Sequence, residues 1–234
     1  KLGVQTEFVG CLGDDEFGKE FINLFRDLGV NIQSTQVETN CSTRIIKVCI
    51  NDEGDRSFAG FVDSQKNFAD EMLDRKVFES SEISLPTLFK ETRYFITGTN
   101  LLASDKSSEA LLFLVEYASK SGVSIVIDAN WREIFWDNLE KSSQIQRQDH
   151  IQKIKKFLLN GDILKLSNEE AILFFGNNNP LLISQSLSKK PDVIITNGDK
   201  PINWFINGFQ DTTKVLKSPR IVDTTGAGDS FLAG

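Results

Sequence analysis

Short apolar runs alternate along this chain with longer segments in which apolar residues recur every three or four positions, the sequence form of a parallel sheet flanked by helices. The strand-like runs are residues 7–10, 94–97, 124–128, 163–166 and 193–196. Between them, residues 15–28 place Phe17, Phe21, Leu24, Phe25 and Leu28 on one helical face, and residues 107–121 do the same with Leu111, Leu114, Val115 and Ala118. Gly29 and Gly122 follow these segments as stop signals. Residues 43–61 break the rhythm: an apolar run from Arg44, the polar Asn51-Asp52-Glu53-Gly54, and a second run ending at Phe61 read as a hairpin. As an ordinary edge hairpin it would leave a polar face of Arg44, Lys47 and Arg56 in solvent. Residues 137–152 are polar and read as a surface connection leading into a helix over 151–159, and residues 177–180 read as a loop.

Composition narrows the classes. With 234 residues, 40% hydrophobic and 10% aromatic, the chain can bury one sizeable core, so one domain over residues 1–234 is expected. A net charge of −7 from 26 basic and 33 acidic residues argues against a nucleic-acid surface, while leaving open a nucleotide pocket, which needs only local donors. No run of about 18 apolar residues and no signal-like start occurs, so a cytoplasmic protein without a membrane partner is expected. Cys11, Cys41 and Cys49 are an odd number without C-x-x-C spacing, which indicates buried thiols rather than disulfides or zinc. His150, the single histidine, sits in a polar stretch, which argues against a histidine base or metal ligand. Position 1 is Lys, and residues 231–234 read as a helix just beginning, so both ends read as cut.

The densest chemistry lies in the last twelve residues, Asp223-Thr-Thr-Gly-Ala-Gly-Asp-Ser-Phe-Leu-Ala-Gly234. Small residues at Gly226, Ala227 and Gly228 permit a tight turn, and the residues after them read as the first turn of a helix. Unpaired N–H groups and the positive end of a helix dipole, about half a charge, make such a turn an anion site. Asp229 inside that turn reads either as an N-terminal cap or as a proton acceptor working on something bound there. Four further segments follow the C-terminal ends of predicted strands, where open α/β sheets place ligands. They are Thr97-Gly98-Thr99-Asn100, Asp128-Ala-Asn130-Trp-Arg132, Ser167-Asn-Glu-Glu170 and Thr196-Asn-Gly198-Asp-Lys-Pro201. Purely structural readings exist for three of them: an Arg132–Asp128 ion pair, a helix cap at Ser167, and a β-turn at Asn197-Gly198.

The string from Asp223 to Asp229, with Ala233-Gly234 following, resembles the C-terminal signature of the ribokinase-like (PfkB-type) carbohydrate kinases. The four strand-end segments stand in that family's order, and Gly13-Asp-Asp-Glu-Phe-Gly18 resembles the close of its N-terminal signature. Asp128-Ala-Asn130-Trp-Arg132, with Trp136, is most similar to fructokinase-like and 2-keto-3-deoxygluconate kinase-like members. Ser167 stands where Asn is usual and Pro201 where Gly is often found, while the sugar-binding start of the signature would precede Lys1 and much of the adenine pocket would follow Gly234. The resemblance implies a three-layer α/β/α sandwich with a mainly parallel sheet and a small β-lid at about residues 41–62. It implies transfer of the γ-phosphoryl group of ATP to a sugar hydroxyl, of fructose or a related ketose or keto sugar acid. In that reading Asp229 accepts the proton, and the N–H groups of Gly226, Ala227 and Gly228 hold developing charge. Gly98, Asn100, Asn130 and Arg132 meet the sugar side, and Thr196, Gly198 and Thr224 the nucleotide. Glu170 orients water on Mg²⁺, and Asp223 and Thr225 flank a monovalent cation such as K⁺. The partners are then a small sugar and ATP, with a second copy pairing through the lid. Two alternatives stay open: a kinase-like protein that binds without catalysing, and a nucleoside kinase of the same family.

Overall fold

The computed structural model describes residues 3–50, 56–62, 67–80, 83–136, 144–216 and 224–234. The chain divides into two units, one of Lys1–Glu91, Ser104–Phe113 and Val222–Gly234, the other of Thr92–Ala103 and Leu114–Ile221.

In the first unit, strand β1 (Gly10–Gly13) pairs in parallel with β2 (Thr35–Glu38), and helix α1 (Glu16–Asp27) connects them. The first strand therefore starts where the predicted run of residues 7–10 ends; Glu7 makes only an isolated bridge to Asn31. The β1–α1 turn is drawn tight by Asp15, whose carboxylate accepts from the Gly18 N–H at 2.8 Å and the Thr43 N–H at 2.7 Å. Thr43 in turn accepts from the Gly13 N–H at 3.0 Å. This closeness requires glycine: a Cβ on Gly18 would lie 2.0 Å from the Gly13 carbonyl oxygen.

Helix α1 departs from expectation. Of its apolar stripe, Phe17, Phe21, Leu24 and Leu28 stay 43–54% exposed, while Phe25 is half-buried against Phe8, ring centroids 4.8 Å apart. Periodicity registers that a helix is two-faced, not what covers it.

The hairpin forms as predicted from β3 (Ile46–Ile50) and β4 (Arg56–Phe61), antiparallel with a register shift between Lys47 and Val48; its turn, residues 51–54, lies outside the described residues. The solvated polar face expected for it is corrected at Arg44, whose side chain is only 9% exposed. Arg44 pairs with Asp70 at 2.9 Å and with Glu71, and lies over the rings of Phe61 and Phe68. A buried guanidinium needs both charge partners and aromatic faces, and four neighbours supply them. Helices α2 (Arg75–Glu79) and α3 (Leu85–Lys90) complete a core that includes Phe68, Leu73, Phe78, Leu85 and Phe89.

The second unit is built on one six-stranded sheet. Strand β5 (Tyr94–Thr97) is followed by helix α4 (Asp105–Lys120), which contributes residues to both units, then β6 (Ser124–Asp128), α5 (Gln144–Leu158) and β7 (Ile163–Ser167). Helices α6 (Asn168–Phe175) and α7 (Pro180–Ser186) lead to β8 (Asp192–Asn197), β9 (Lys200–Ile206) and β10 (Phe209–Thr213). The order is β10-β9-β8-β7-β6-β5, with β5 to β8 parallel and β9 and β10 antiparallel, so the expected α/β class with a mainly parallel sheet holds. In β6, Ile125 to Asp128 are all buried, as a strand covered on both faces must be. Ala110, Leu111, Leu114, Val115 and Ala118 of α4 are buried, and here the predicted stripe does face a core.

Two further corrections concern this unit and the cysteines. Residues 144–150 are helical rather than a surface connection, because a Gln-rich stretch has ample helix propensity and α5 needs apolar contact only where Ile151, Ile154, Phe157 and Leu158 turn inward. Of the three free thiols only Cys11 is buried, Cys41 being half-buried and Cys49 exposed on the hairpin. Burial, reinforced by the charge of Glu38, pushes the Cys11 thiol up to about 12. No helix among the described residues is long and apolar enough to cross a membrane.

Candidate functional site

The terminal motif forms the predicted turn and helix. Gly226 takes the left-handed conformation, φ +74°, and caps helix α8 (Ala227–Ala233). The Ala227 N–H is donated to the Thr224 carbonyl at 3.2 Å, whereas the N–H groups of Gly228 and Asp229 meet no backbone acceptor among the described residues. Ala227, one of the three expected charge-holding residues, thus has its N–H engaged within the turn. The cap position of α8 falls to Gly226 rather than to Asp229, which is exposed in the first turn. Thr224 is half-buried and Thr225 exposed at the start of this turn, and Asp223 lies outside the described residues.

In the second unit, the four predicted segments occupy the C-terminal ends of β5, β6, β7 and β8, neighbours in one parallel array and hence on one edge of the sheet. Side chains stitch successive loops together. Thr99 is fully buried and donates its hydroxyl to the Ala129 carbonyl, and the Thr196 hydroxyl reaches the Leu166 carbonyl at 3.4 Å. Asn100 follows Gly98 and Thr99 and opens a short 3-10 turn, Asn100–Ala103; its Oδ1 is buried and, like the Trp136 indole N–H, has no hydrogen-bond partner among the described residues. Gly198, φ +56°, makes the β8–β9 turn, so the β-turn reading of Asn197-Gly198 holds and Pro201 lies within β9.

The β6 loop is held at several points. Asn130 takes φ +40°, a region that Asn tolerates better than most residues. Arg132 donates to the Trp131 carbonyl at 2.9 Å. Glu170, 8% exposed, accepts from the Trp131 N–H at 2.7 Å through Oε1 and from the Ser167 N–H at 2.7 Å through Oε2. Ser167 returns a bond to the Glu170 N–H at 3.2 Å, which completes a capping box. The helix-cap reading of Ser167 therefore holds.

Two features escaped sequence reading. Both oxygens of Asp128 accept from the Lys165 ammonium at 3.0 and 3.1 Å, with side chains 6% and 8% exposed, in a pair that lies directly across the β6–β7 register. Its signal was a lone Lys in the apolar run Ile163-Leu-Lys-Leu, since a charge within a buried strand requires a partner. The second is an aromatic cluster. Trp131 stacks near Trp136 at 6.3 Å and against Phe174 at 5.5 Å, Trp136 packs on His150 at 5.0 Å, and Lys153 bonds the Leu102 carbonyl at 2.7 Å. The only histidine is thus a packing residue beside the loop.

The sequence model of a family described as pfkB family carbohydrate kinase matches residues 1–234. A protein named Probable fructokinase-5 from Arabidopsis thaliana is 28% identical over 235 residues, covering 99% of this chain and 67% of that protein. Fructokinase-2 from Solanum lycopersicum is 27% identical over 235 residues, covering 99% and 66%. Among solved structures, fructokinase with bound ATP from Xylella fastidiosa superposes with TM-score 0.81 at 23% identity, over 100% of this chain and 67% of that one. Aminoimidazole riboside kinase from Salmonella enterica gives TM-score 0.76 at 21% identity, over 100% and 70%. The chain spans between 57% and 67% of the length of the first three curated relatives it matches.

Proposed function

We propose, on the premise that this chain belongs to the pfkB family of carbohydrate kinases, that the protein transfers the γ-phosphoryl group of ATP to a hydroxyl of fructose or of a related ketose or keto sugar acid. The observation that carries this reading is the turn before α8: N–H groups without backbone acceptors among the described residues at Gly228 and Asp229, beside an acid exposed in the first turn. An acid in a first turn is favoured by the helix dipole in any case; beside open N–H groups it can also take the proton of a bound hydroxyl.

In this reading Asp229 receives the proton of the attacking hydroxyl, and the Gly226–Gly228 backbone faces the charge that spreads over the transferred group. Phosphoryl transfer asks for little covalent chemistry from protein, so positioning and electrostatics supply most of the acceleration. Arg132 offers a planar set of donors that suits phosphate oxygens. Asn100 has a buried acceptor with no partner among the described residues, which fits a sugar hydroxyl; Gly98 and Asn130 stand beside it on the same sheet edge. Thr196, Gly198 and Thr224 would lie along the nucleotide. Mg²⁺ beside a nucleotide is held chiefly by phosphates and water. Each Glu170 oxygen keeps a lone pair beyond its N–H bond, and these suit water on Mg²⁺. When bound, that ion neutralises charge on the phosphates. Thr225 remains the described candidate beside a monovalent cation.

The names of the matched relatives favour a fructose-like acceptor; the likeness to a riboside kinase favours a nucleoside as the second reading. A panel of sugars and nucleosides with ATP and Mg²⁺, read by ADP release, decides between them. Asp229→Ala is expected to lower turnover about 10²- to 10⁴-fold while sugar binding persists; near-normal turnover would overturn the assignment. Pairing of two copies through the β3–β4 hairpin belongs to the same reading and is checked by sedimentation.

A further inference from the structure

Strands β5 and β6 run in parallel, and their ladder ends with Thr97 facing Ile127. Carried two residues further, the same register sets Thr99 against Ala129. By then β5 has given way to the 3-10 turn Asn100–Ala103, and the Thr99 carbonyl is spent on the Leu102 N–H at 3.1 Å. A side chain continues the ladder instead: the hydroxyl of Thr99, a residue with no exposed surface, donates to the Ala129 carbonyl. Ala129 is also fully buried and donates its N–H to the Lys165 carbonyl at 3.0 Å, so its two backbone groups are held from the strands on either side. The residues immediately beyond the two ends of the Thr99–Ala129 bond are Asn100 and Asn130. Asn100 carries a buried Oδ1 with no partner among the described residues, and Asn130 leaves the strand through φ +40°. A left-handed residue other than glycine costs free energy, and it persists where the residue before it is pinned.

We infer that Thr99 is a positioning residue for the acceptor: its hydroxyl, through the Ala129 carbonyl, fixes the spacing of Asn100 and Asn130, the two residues that follow the bond at its ends. What Asn100 and Asn130 meet rests on the proposed function; the bond that spaces them does not. The chemistry is specific to a hydroxyl. Valine has nearly the shape of threonine but sets a methyl against the Ala129 carbonyl and leaves that buried acceptor without the donor it has now. Serine keeps the donor and loses only a methyl. The nucleotide candidates Thr196 and Gly198 stand at the end of another strand, β8, so the effect falls on the acceptor and not on ATP.

Two substitutions separate the hydroxyl from the methyl. With fructose as acceptor, Thr99→Val is expected to lower kcat/KM for the sugar about 10- to 100-fold, the scale of a misplacement of about 1 Å, while KM for ATP keeps its wild-type value. Thr99→Ser, which deletes a buried methyl, is expected to melt below the wild type and yet to recover most of the loss in kcat/KM. A merely structural role gives a different pattern: activity follows melting temperature in both variants, and the loss falls on kcat through the folded fraction with both KM values unchanged. That pattern would overturn the inference. The second readout needs no turnover. In heteronuclear NMR of the full chain, the side-chain amide resonances of Asn100 and Asn130 are expected to move in Thr99→Val and to stay near their wild-type positions in Thr99→Ser; resonances unmoved in Thr99→Val would equally overturn it. If Thr99→Val does not fold, Thr99→Ser and Thr99→Ala, which differ from each other by the hydroxyl alone, carry the same comparison. Should the wild type phosphorylate neither fructose nor any other sugar or nucleoside, the proposed function falls, and the asparagine resonances alone decide whether Thr99 spaces the two loops.

Discussion

Single carboxylates do three different jobs in this protein, and their surroundings separate them. Asp229 is exposed in the first turn of α8, Glu170 accepts one backbone N–H on each oxygen, and Asp15 ties the start of α1 to Thr43. Burial alone would push the Asp15 carboxyl up, but the Gly18 and Thr43 N–H groups and the Thr43 hydroxyl outweigh it and hold the group below its ordinary value of 3.8. A carboxyl lowered by folding stabilises the fold fully above that ordinary value, and the contribution fades as pH falls towards the folded one. Thermal melts are therefore expected to show acid destabilisation setting in below about pH 4, with a smaller acid-dependent loss in Asp15→Asn. At this scale the sequence was informative where chemistry is local: Gly226 and Asp229 could be placed because a tight turn and an acid explain themselves within seven residues. Lys165 could not be matched to Asp128, since their meeting depends on the β6–β7 register, which no local pattern encodes.

That pair governs the second unit at the scale of elements. Two charges have been taken out of water between adjacent strands, so removing one strips the other of its buried ion-pair partner. Lys165→Met is expected to cost about 3–5 kcal/mol in urea denaturation, and Lys165→Met combined with Asp128→Leu to recover much of it. The four parallel strands were legible as short apolar runs, and in β6 and β7 that run reflects burial on both faces. Strands β9 and β10 were missed: they depend on left-handed turns at Gly198 and Gly208, and residues 200–206 mix Lys, Pro, Asn and Trp in a way that suits an antiparallel extension with one face less buried. Helix α5 was missed over its first turns because polar composition was read as a loop, although an exposed helix face is equally polar.

For the molecule as a whole, the match of one family over residues 1–234 and a TM-score of 0.81 join two units whose sequence patterns look unrelated. The order of strand-end loops was readable because a parallel sheet returns every loop to the same edge. The fate of the α1 stripe was not, because cover for a helix face is a tertiary fact. Arg44 shows what such tertiary facts can impose on motion. Its guanidinium lies on Phe61, at the far end of β4, and on Phe68, and it is moored to Asp70 and Glu71. The two legs of the hairpin are thus pinned at their feet. Any bending of the β3–β4 ribbon must take place above that rivet, like a springboard clamped at its base, and a door-like swing from Thr43 would first have to pull a buried cation out of its aromatic seat.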